Sequence, residues 1–273
     1  MSICVGKIKI VYVLRRVMVT IKTRREIELM KEACKITAEA HLAVEKALKV
    51  GMTTKELDKI AEDVIKRNGA VPSFKDYPSG FRGIKNFPAT TCISVNEQVI
   101  HGIPSDKVVI ADGDVVSIDL GAYINGFHGD SARTYLVGNG SKKAQKLIDV
   151  TKQSFFEGIK YALVGNRISD ISYAIGEYVA KNGYNVVREF QGHGIGRNLH
   201  EDPGIPNYGT KNKGIRLESG MTLAIEPMVN MGTWEVKVLG DGWTTITADG
   251  SLSAHYENTI LITEKTPEIL TMI

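Results

Sequence analysis

The feature that most limits how this 273-residue chain can fold is its likeness to itself. LKVGMTTKELDKIAEDVIKRNGA, from Leu48, reappears 114 residues later as ALVGNRISDISYAIGEYVAKNGY, from Ala162. Gly51 aligns with Gly165, Leu57 with Ile171, Ile65 with Val179, and Asn68-Gly69 with Asn182-Gly183. Each copy has apolar residues at helical spacing and ends in Asn-Gly, a helix stop. A second helix precedes each copy, around 26–49 and 142–163. Any two amphipathic helices look alike, but the strand regions repeat as well. DGDVVSIDLGAY matches ESGMTLAIEPMV at an offset of 107, with Gly113 over Gly220 and Asp119 over Glu226. DSARTYLV from Asp130 and ENTILIT from Glu257 are both β-rich and led by an acid. Shared order and matched acids predict duplication: an α+β fold of two pseudo-two-fold halves, 20–140 and 141–273. Its mainly antiparallel sheet carries helices on the outer side. No low-complexity linker separates the halves, so one shared core is expected.

Charge is distributed unevenly. A net charge of +3 is too small to argue nucleic-acid binding from the total. From Lys7 to Arg25, however, there are seven basic residues and no acid. That stretch reads either as a solvated arm or as a contact for an acidic partner such as RNA. Met18 opens a segment that resembles a natural start, so 1–19 is expected to be an extension outside the fold and 20–273 a single domain. The run IKIVYVLRRVMV is broken by Arg15 and Arg16 and is neither a spanning helix nor a signal peptide. Cys4, Cys34 and Cys92 are odd in number and contain no CxxC pair, which suits a reducing cytoplasm.

YINGFH places Asn125-Gly126 between β-rich flanks, a strong two-residue hairpin signal. Ile124 then pairs with Phe127, Gly121 faces Asp130, and Asp119 faces Ala132. Alternation puts Asp119, Gly121, Asp130 and Ala132 on one face, with the two aspartates diagonal and about 7–8 Å apart at Cα. Gly121 and Ala132 are expected to leave space between them. Two carboxylates in one gap are either solvated acids or the walls of a cation site. The second half favours the cation. Glu226 in LAIEPM and Glu257 in SAHYENTILI are lone acids in apolar strands, and the repeat matches them to Asp119 and Asp130. Four converging carboxylates suggest two divalent ions. FQGHGIGRNLHEDPG adds His193 and His200, with Gly192, Gly194 and Gly196 expected to clear room for a ligand beside His193. His101, in VIHGIP, is the weakest of the set on local grounds.

Asp119, Asp130, His193, Glu226 and Glu257 stand in the order and context of the type I methionine aminopeptidases, which this chain resembles. The phrases carrying the likeness are SIDLGAYINGFHGDSART, GHGIGRNLHEDP, LAIEPMV, LSAHYENTI and CISVNEQVIHGIP. The likeness runs from about Thr20 to the C-terminus and implies the pita-bread fold, with 20–273 as its catalytic domain. It implies that Asp119 chelates one metal, that His193 and Glu226 ligate the other, and that Asp130 and Glu257 bridge. The ions would be two of Mn, Fe(II), Co or Zn. A water bridging them would lose a proton near neutral pH and attack the first peptide bond, removing the N-terminal methionine of nascent chains. Glu226 would relay the proton, His200 would donate to the oxyanion, and His101 would contact the scissile amide nitrogen. Phe87, Cys92, Leu199 and Trp243 map to the methionine pocket, and Asn96 and Ser253 to positions that help hold a monovalent cation in some members.

The segment DYPSGFRGIKNFP, Asp76 to Pro88, departs from the family by its length and leaves the alignment of Ile84 to the pocket open. Two rivals stand beside this expectation. One is an Xaa-Pro peptidase of the same fold, which would carry a sizeable extra N-terminal domain. The other is a metal-free, ribosome- or RNA-associated relative, which would have lost ligands. The chain is further expected to act as a monomer in the cytoplasm, away from membranes, with basic residues assisting ribosome docking.

Overall fold

A computed structural model describes residues 18–80 and 82–272. Cys4, Lys7, Lys9, Arg15 and Arg16, and with them most of the expected extension and basic arm, lie outside the described residues.

In the first half, α1 (Arg24–Ala47) and α2 (Thr54–Arg67) precede β1 (Val71–Pro72), β2 (Thr91–Val95), β3 (Gln98–Ile100), β4 (Val115–Ile124) and β5 (Phe127–Leu136). The second half opens with α3 (Lys142–Ile159) and α4 (Ile168–Lys181). It continues through β6 (Asn185–Val186), β7 (Gln191–Gly194), β8 (Glu201–Pro206), β9 (Thr222–Ile225) and β10 (Met228–Asn230). β11 (Val236–Val238), β12 (Thr245–Thr247), β13 (Ser253–His255), β14 (Asn258–Leu261) and β15 (Glu268–Ile269) complete it. The bounds of α2 and α4 differ by the same 114 residues as the sequence repeat, and Gly51 and Gly165 precede them at φ of 89° and 90°. Thr23 and Thr53 start their helices by accepting from Glu26 and Glu56, whose carboxylates bond back to the threonine amides. Asn68 and Asn182 end α2 and α4, and each is followed by a left-handed glycine.

All named strand pairs are antiparallel, but they fall into four sheets rather than one. β1, β2 and β5 gather around β4; β15, β14, β9, β7 and β8 form the largest sheet. Each half has its own helix-to-sheet core. Val44, Leu57, Ile65, Ile118 and Leu120 fill the first; Leu147, Phe155, Ile171, Ile175, Leu223 and Ile260 fill the second. The N-terminal segment crosses between them. Val19 bridges to Asp202, packs against the second core, and is followed by Lys22, whose amide donates to Gly220 O at 2.9 Å. The fold therefore takes in residues before Thr20, because this segment docks on the second half before α1 begins the first.

Candidate metal centre and active site

The β4–β5 hairpin has the register the Asn-Gly turn predicts: Ile124 faces Phe127, Gly121 faces Asp130 and Asp119 faces Ala132. Asn125 and Gly126 have φ of 54° and 83°, as a type I′ turn requires. Gly121, expected to leave room between the aspartates, instead admits Ser73: a β-carbon there would lie 2.9 Å from Ser73 Cβ.

Glu226 and Glu257 do not lie within strands. Glu226 follows β9 at the break made by Pro227, and Glu257 fills the gap between β13 and β14. Proline cannot donate to a sheet ladder, so the chain turns aside there. Asn258 faces Ile225, and continuing that register brings Glu226 opposite Glu257. The acids are thus directly opposed in the second half and diagonal in the first.

All eleven expected groups line one cavity: Asp119, Asp130, His193, Glu226 and Glu257; His101 and His200; Phe87, Cys92, Leu199 and Trp243. Ligand atoms of Asp130, His193 and Glu257 lie within 4.8 Å of one another. Asp119 Oδ1, Asp130 Oδ1 and Glu257 Oε1 are buried without a hydrogen-bond partner. Burial drives all four carboxylates up: Asp119 to about 7, Glu226 to about 8, and Asp130 and Glu257 well above the carboxylate range. Mutual repulsion adds to the rise at Asp130 and Glu257. Orphaned oxygens that repel one another around a bare nitrogen fit divalent cations, because a cation reverses both penalties.

His193 supplies that nitrogen. Its Nδ1–H donates to Gly194 O at 2.8 Å, which leaves Nε2 bare and 3.6 Å from Glu226 Oε1. Burial and the nearby His200 push its pKa down to about 3. The glycines around it serve closer packing than ligand access. A β-carbon on Gly192 would lie 2.4 Å from Ala224 O, one on Gly194 2.2 Å from Asp202 O, and one on Gly196 2.5 Å from Lys22 Cε. They let β9, β8 and the N-terminal segment approach β7.

His200 stacks edge-on to His193, with ring centroids 4.4 Å apart, and burial lowers its pKa. Its Nδ1 meets the Tyr77 hydroxyl at 2.5 Å. The next residue, Glu201, is held by Lys22 at 2.6 Å and Thr20 at 2.6 Å. Lys22, counted in the basic arm, is therefore buried in an ion pair rather than offered to a partner. His101 has φ of 58°, a strained conformation that turns its ring between Phe190 and Trp243. Burial pushes it down to about 4, helped by His255 and His200.

The apolar wall combines two segments. On α2, the Asp58 carboxylate accepts from Thr90 N and Thr91 N, both at 2.9 Å, and pins the start of β2 ahead of Cys92. The long 76–88 segment is closed at its base by Asp76 N to Phe87 O and Phe87 N to Tyr77 O. Trp243 Nε1 donates to Lys85 O at 2.9 Å, and the Trp243 ring meets Phe87 edge-on. Ile84 packs over Gly242 instead of lining the cavity. Asn96 and Ser253 meet through Ser253 N to Asn96 O at 3.0 Å. The Asn96 side chain is engaged by Asp114 and Val115, and the Ser253 hydroxyl by Val229 and Asn230.

Sequence reasoning missed Tyr77, Phe190 and His255. His255 lies within LSAHYENTI and shares the alternation of Glu257, the one local signal for it.

A family model described as metallopeptidase family M24 matches residues 28–264. The methionine aminopeptidase of Clostridium perfringens is 55% identical over 256 residues, covering 94% of this chain and 100% of that one. Methionine aminopeptidase 1 of Bacillus subtilis is 53% identical over 256 residues, with the same coverage of 94% and 100%. The crystal structure of the Thermotoga maritima methionine aminopeptidase matches with a TM-score of 0.90 at 46% identity, covering 94% of this chain and 100% of that one. A match over most of the chain, joined to a pair of duplicated halves that meet in a carboxylate-lined cavity, has one meaning: this chain belongs to metallopeptidase family M24.

Proposed function

We propose that this chain removes the N-terminal methionine from peptides and new proteins, with divalent metal held by Asp119, Asp130, His193, Glu226 and Glu257. The observation that carries this is the set of buried, unpartnered carboxylate oxygens beside the bare Nε2 of His193, at one end of an apolar cavity. Asp119 would hold one ion and His193 with Glu226 a second, with Asp130 and Glu257 contributing to the same centre. Bound there, divalent ions neutralise the carboxylates, acidify water and polarise a carbonyl. Mn, Fe(II), Co and Zn all suit a donor set of oxygens and one imidazole.

The chain's own groups do the rest. Phe87, Cys92, Leu199 and Trp243, with Tyr77 and Phe190, receive the methionine side chain. The substrate's free amine is drawn to the acidic end, which restricts cleavage to the first bond. Glu226 takes a proton and delivers it to the leaving amine. His200 donates Nε2–H to the developing oxyanion, since Nδ1 already faces Tyr77. His101 steadies the scissile amide. A monovalent cation beside Asn96 and Ser253 is a further part of this reading.

The test pairs elemental analysis of protein purified without added metal with cleavage of Met-Ala-Ser and of an Xaa-Pro dipeptide. Bound transition metal and turnover of Met-Ala-Ser are expected. Preference for the proline substrate would overturn the proposal.

The free thiols of Cys34 and Cys92 suit a reducing cytoplasm. Among the described residues no helix is long and apolar enough to cross a membrane. Exposed Arg24 and Arg25, with Lys7, Lys9, Arg15 and Arg16 before them, would dock the enzyme beside the ribosome. Co-sedimentation lost on adding salt is the expected signature, and its absence at every salt concentration would remove the idea.

A further inference from the structure

One buried imidazole behind the cavity wall, beside Glu226, is not used by the chemistry above. His255 ends β13, two residues before Glu257, and is 2% exposed. Its Nε2 has no hydrogen-bond partner. That nitrogen lies 3.6 Å from Glu226 Oε2, while Glu226 Oε1 lies 3.6 Å from His193 Nε2. The Glu226 carboxylate is thus bracketed by two imidazoles, one at each oxygen.

The two rings cannot play the same part. His193 spends its N–H on Gly194 O, so its Nε2 is an acceptor and attracts Glu226 only through an intervening cation. His255 is free to carry its proton on Nε2. Its backbone is fixed: Thr134 Oγ1 accepts from His255 N at 2.9 Å and donates to His255 O at 2.7 Å. β13 also pairs with β10, setting His255 opposite Met228, two residues beyond Glu226. The ring and the carboxylate therefore hang from one rigid ladder. A carboxylate with one free oxygen can swing about its last bond, and a buried donor without an acceptor costs about 1–3 kcal/mol. One hydrogen bond cures both, and such bonds commonly shorten once a site is filled.

We propose that His255 is a positioning residue for Glu226, its Nε2–H donating to Oε2 so that Oε1 stays turned toward His193. This rests on the role given to Glu226 above. Groups that orient a metal-binding side chain from behind change affinity or activity by about 10–100-fold when removed.

The test uses the full chain loaded with Mn(II) and the Met-Ala-Ser substrate. His255→Leu is expected to lower kcat by about 10–100-fold with little change in KM, and to weaken Mn(II) in competition with a chelator. His255→Gln, whose amide can still donate, should recover most of both losses. Full activity in His255→Leu would overturn the proposal. So would equal failure of the Gln and Leu variants, which would mark His255 as a ligand. Should the Leu variant not fold, the tautomer in the unsubstituted protein loaded with diamagnetic Zn(II), where Glu226 is ionised, decides: two-bond 1H–15N correlations are expected to show Nε2-protonated His255. An Nδ1-protonated ring would overturn the assignment. Glu226→Gln separates the two levels. Turnover persisting there removes the Glu226 role, whereas loss there with an unimpaired His255→Leu removes only the His255 role.

Discussion

The amide of Glu257 donates to the carbonyl of Ala132 at 3.0 Å, and the amide of Ala132 donates back to Glu257 O at 3.4 Å. Asp130 and Thr259 meet alongside: the Thr259 hydroxyl accepts from Asp130 N at 3.1 Å and donates to Asp130 O at 2.9 Å. In the repeat Asp130 corresponds to Glu257 and Ala132 to Thr259, so the two pairs exchange under the pseudo-two-fold. The axis passes between Ser131 and Asn258. Two of the site's carboxylates therefore sit on equivalent chain segments bonded to each other, and the cavity is built on the joint between halves. Whatever loosens that joint should loosen the cation site.

Arg133 offers the first test. Its guanidinium donates to Ala132 O at 2.8 Å, to Glu257 O, to Asn258 Oδ1 at 2.7 Å and to Thr271 O at 3.3 Å. It also lies 4.7 Å from the Tyr256 ring. Arg133→Met should cost about 1–3 kcal/mol through the acceptors left dry. Thermal melts should fall by about 2–4 °C per kcal/mol. Chelator competition should show weaker metal binding. A melt and an affinity both equal to wild type would mean that Arg133 does not secure the joint.

Stability of the metal-free protein should depend on pH in a definite direction. Asp119 and Glu226 are raised to about 7 and about 8, and Asp130 and Glu257 are raised well above the ordinary carboxylate range. Groups raised in the folded state contribute stability at low pH and lose it as pH rises through the folded value. The buried histidines act oppositely: His193, lowered to about 3, and His101, lowered to about 4, favour folding increasingly as pH rises to about 6.5. The two effects oppose up to about 6.5, and above it the histidine contribution to the slope fades while the carboxylates continue to act. Metal-free protein should therefore melt at lower temperature at pH 8 than at pH 6.5. Saturating Mn(II) should abolish that slope, and Asp119→Asn should reduce it. A metal-free melt that rises over this interval would contradict the burial of the acids.

Much of this site was legible because strand alternation is a strict code. The Asn-Gly turn alone fixed the register that sets Asp119 diagonal to Asp130. The matched acids located Glu226 and Glu257 even though neither lies in a strand, because a register carries past a strand's last bonded pair. What escaped was set by packing. The glycines flanking His193 answer to Ala224, Asp202 and Lys22, none of which a local pattern can reveal. The split into four sheets follows from breaks such as Pro227. His255 shares the alternation of Glu257, but so would an ordinary core residue there, and its unpartnered nitrogen beside Glu226 is what distinguishes it.

Asp119→Ala and His200→Ala should fail differently. The first removes an oxygen donor from the cluster, so bound metal and turnover should vanish together. The second removes a group expected to donate to an oxyanion, so metal should remain while kcat falls by about 10²–10³. Elemental analysis beside steady-state kinetics distinguishes them. An Asp119→Ala protein that is fully loaded and active would show the ligand assignment to be wrong.

The 2.5 Å contact between the Tyr77 hydroxyl and His200 Nδ1 gives the long 76–88 segment a stake in the chemistry. If the phenol donates, the proton of His200 sits on Nε2, facing away from Tyr77. Tyr77→Phe keeps the ring and deletes that donor. A kcat loss of about tenfold is expected, equivalent to roughly 1.4 kcal/mol, the scale of one hydrogen bond. KM for Met-Ala-Ser should rise little, since the ring still lines the pocket. A change confined to KM would assign Tyr77 to side-chain recognition instead.

Gly129 tests whether α1 is part of the site's foundation. A β-carbon there would lie 2.7 Å from both Cα and N of Cys34, backbone atoms that cannot turn aside. Thr37 Oγ1 donates to Gly129 O at 3.1 Å, holding the helix against β5 one residue before Asp130. Gly129→Ala must therefore lift α1 or bend β5, at a cost of about 1–3 kcal/mol. Either movement shifts Asp130, so metal affinity should drop along with the melting temperature. Gly240→Ala is the control: nothing lies within 4 Å of its β-carbon, and its effect should stay within about 0.5 kcal/mol. If both variants melted with the wild type, the seating of α1 on Gly129 would have no energetic weight.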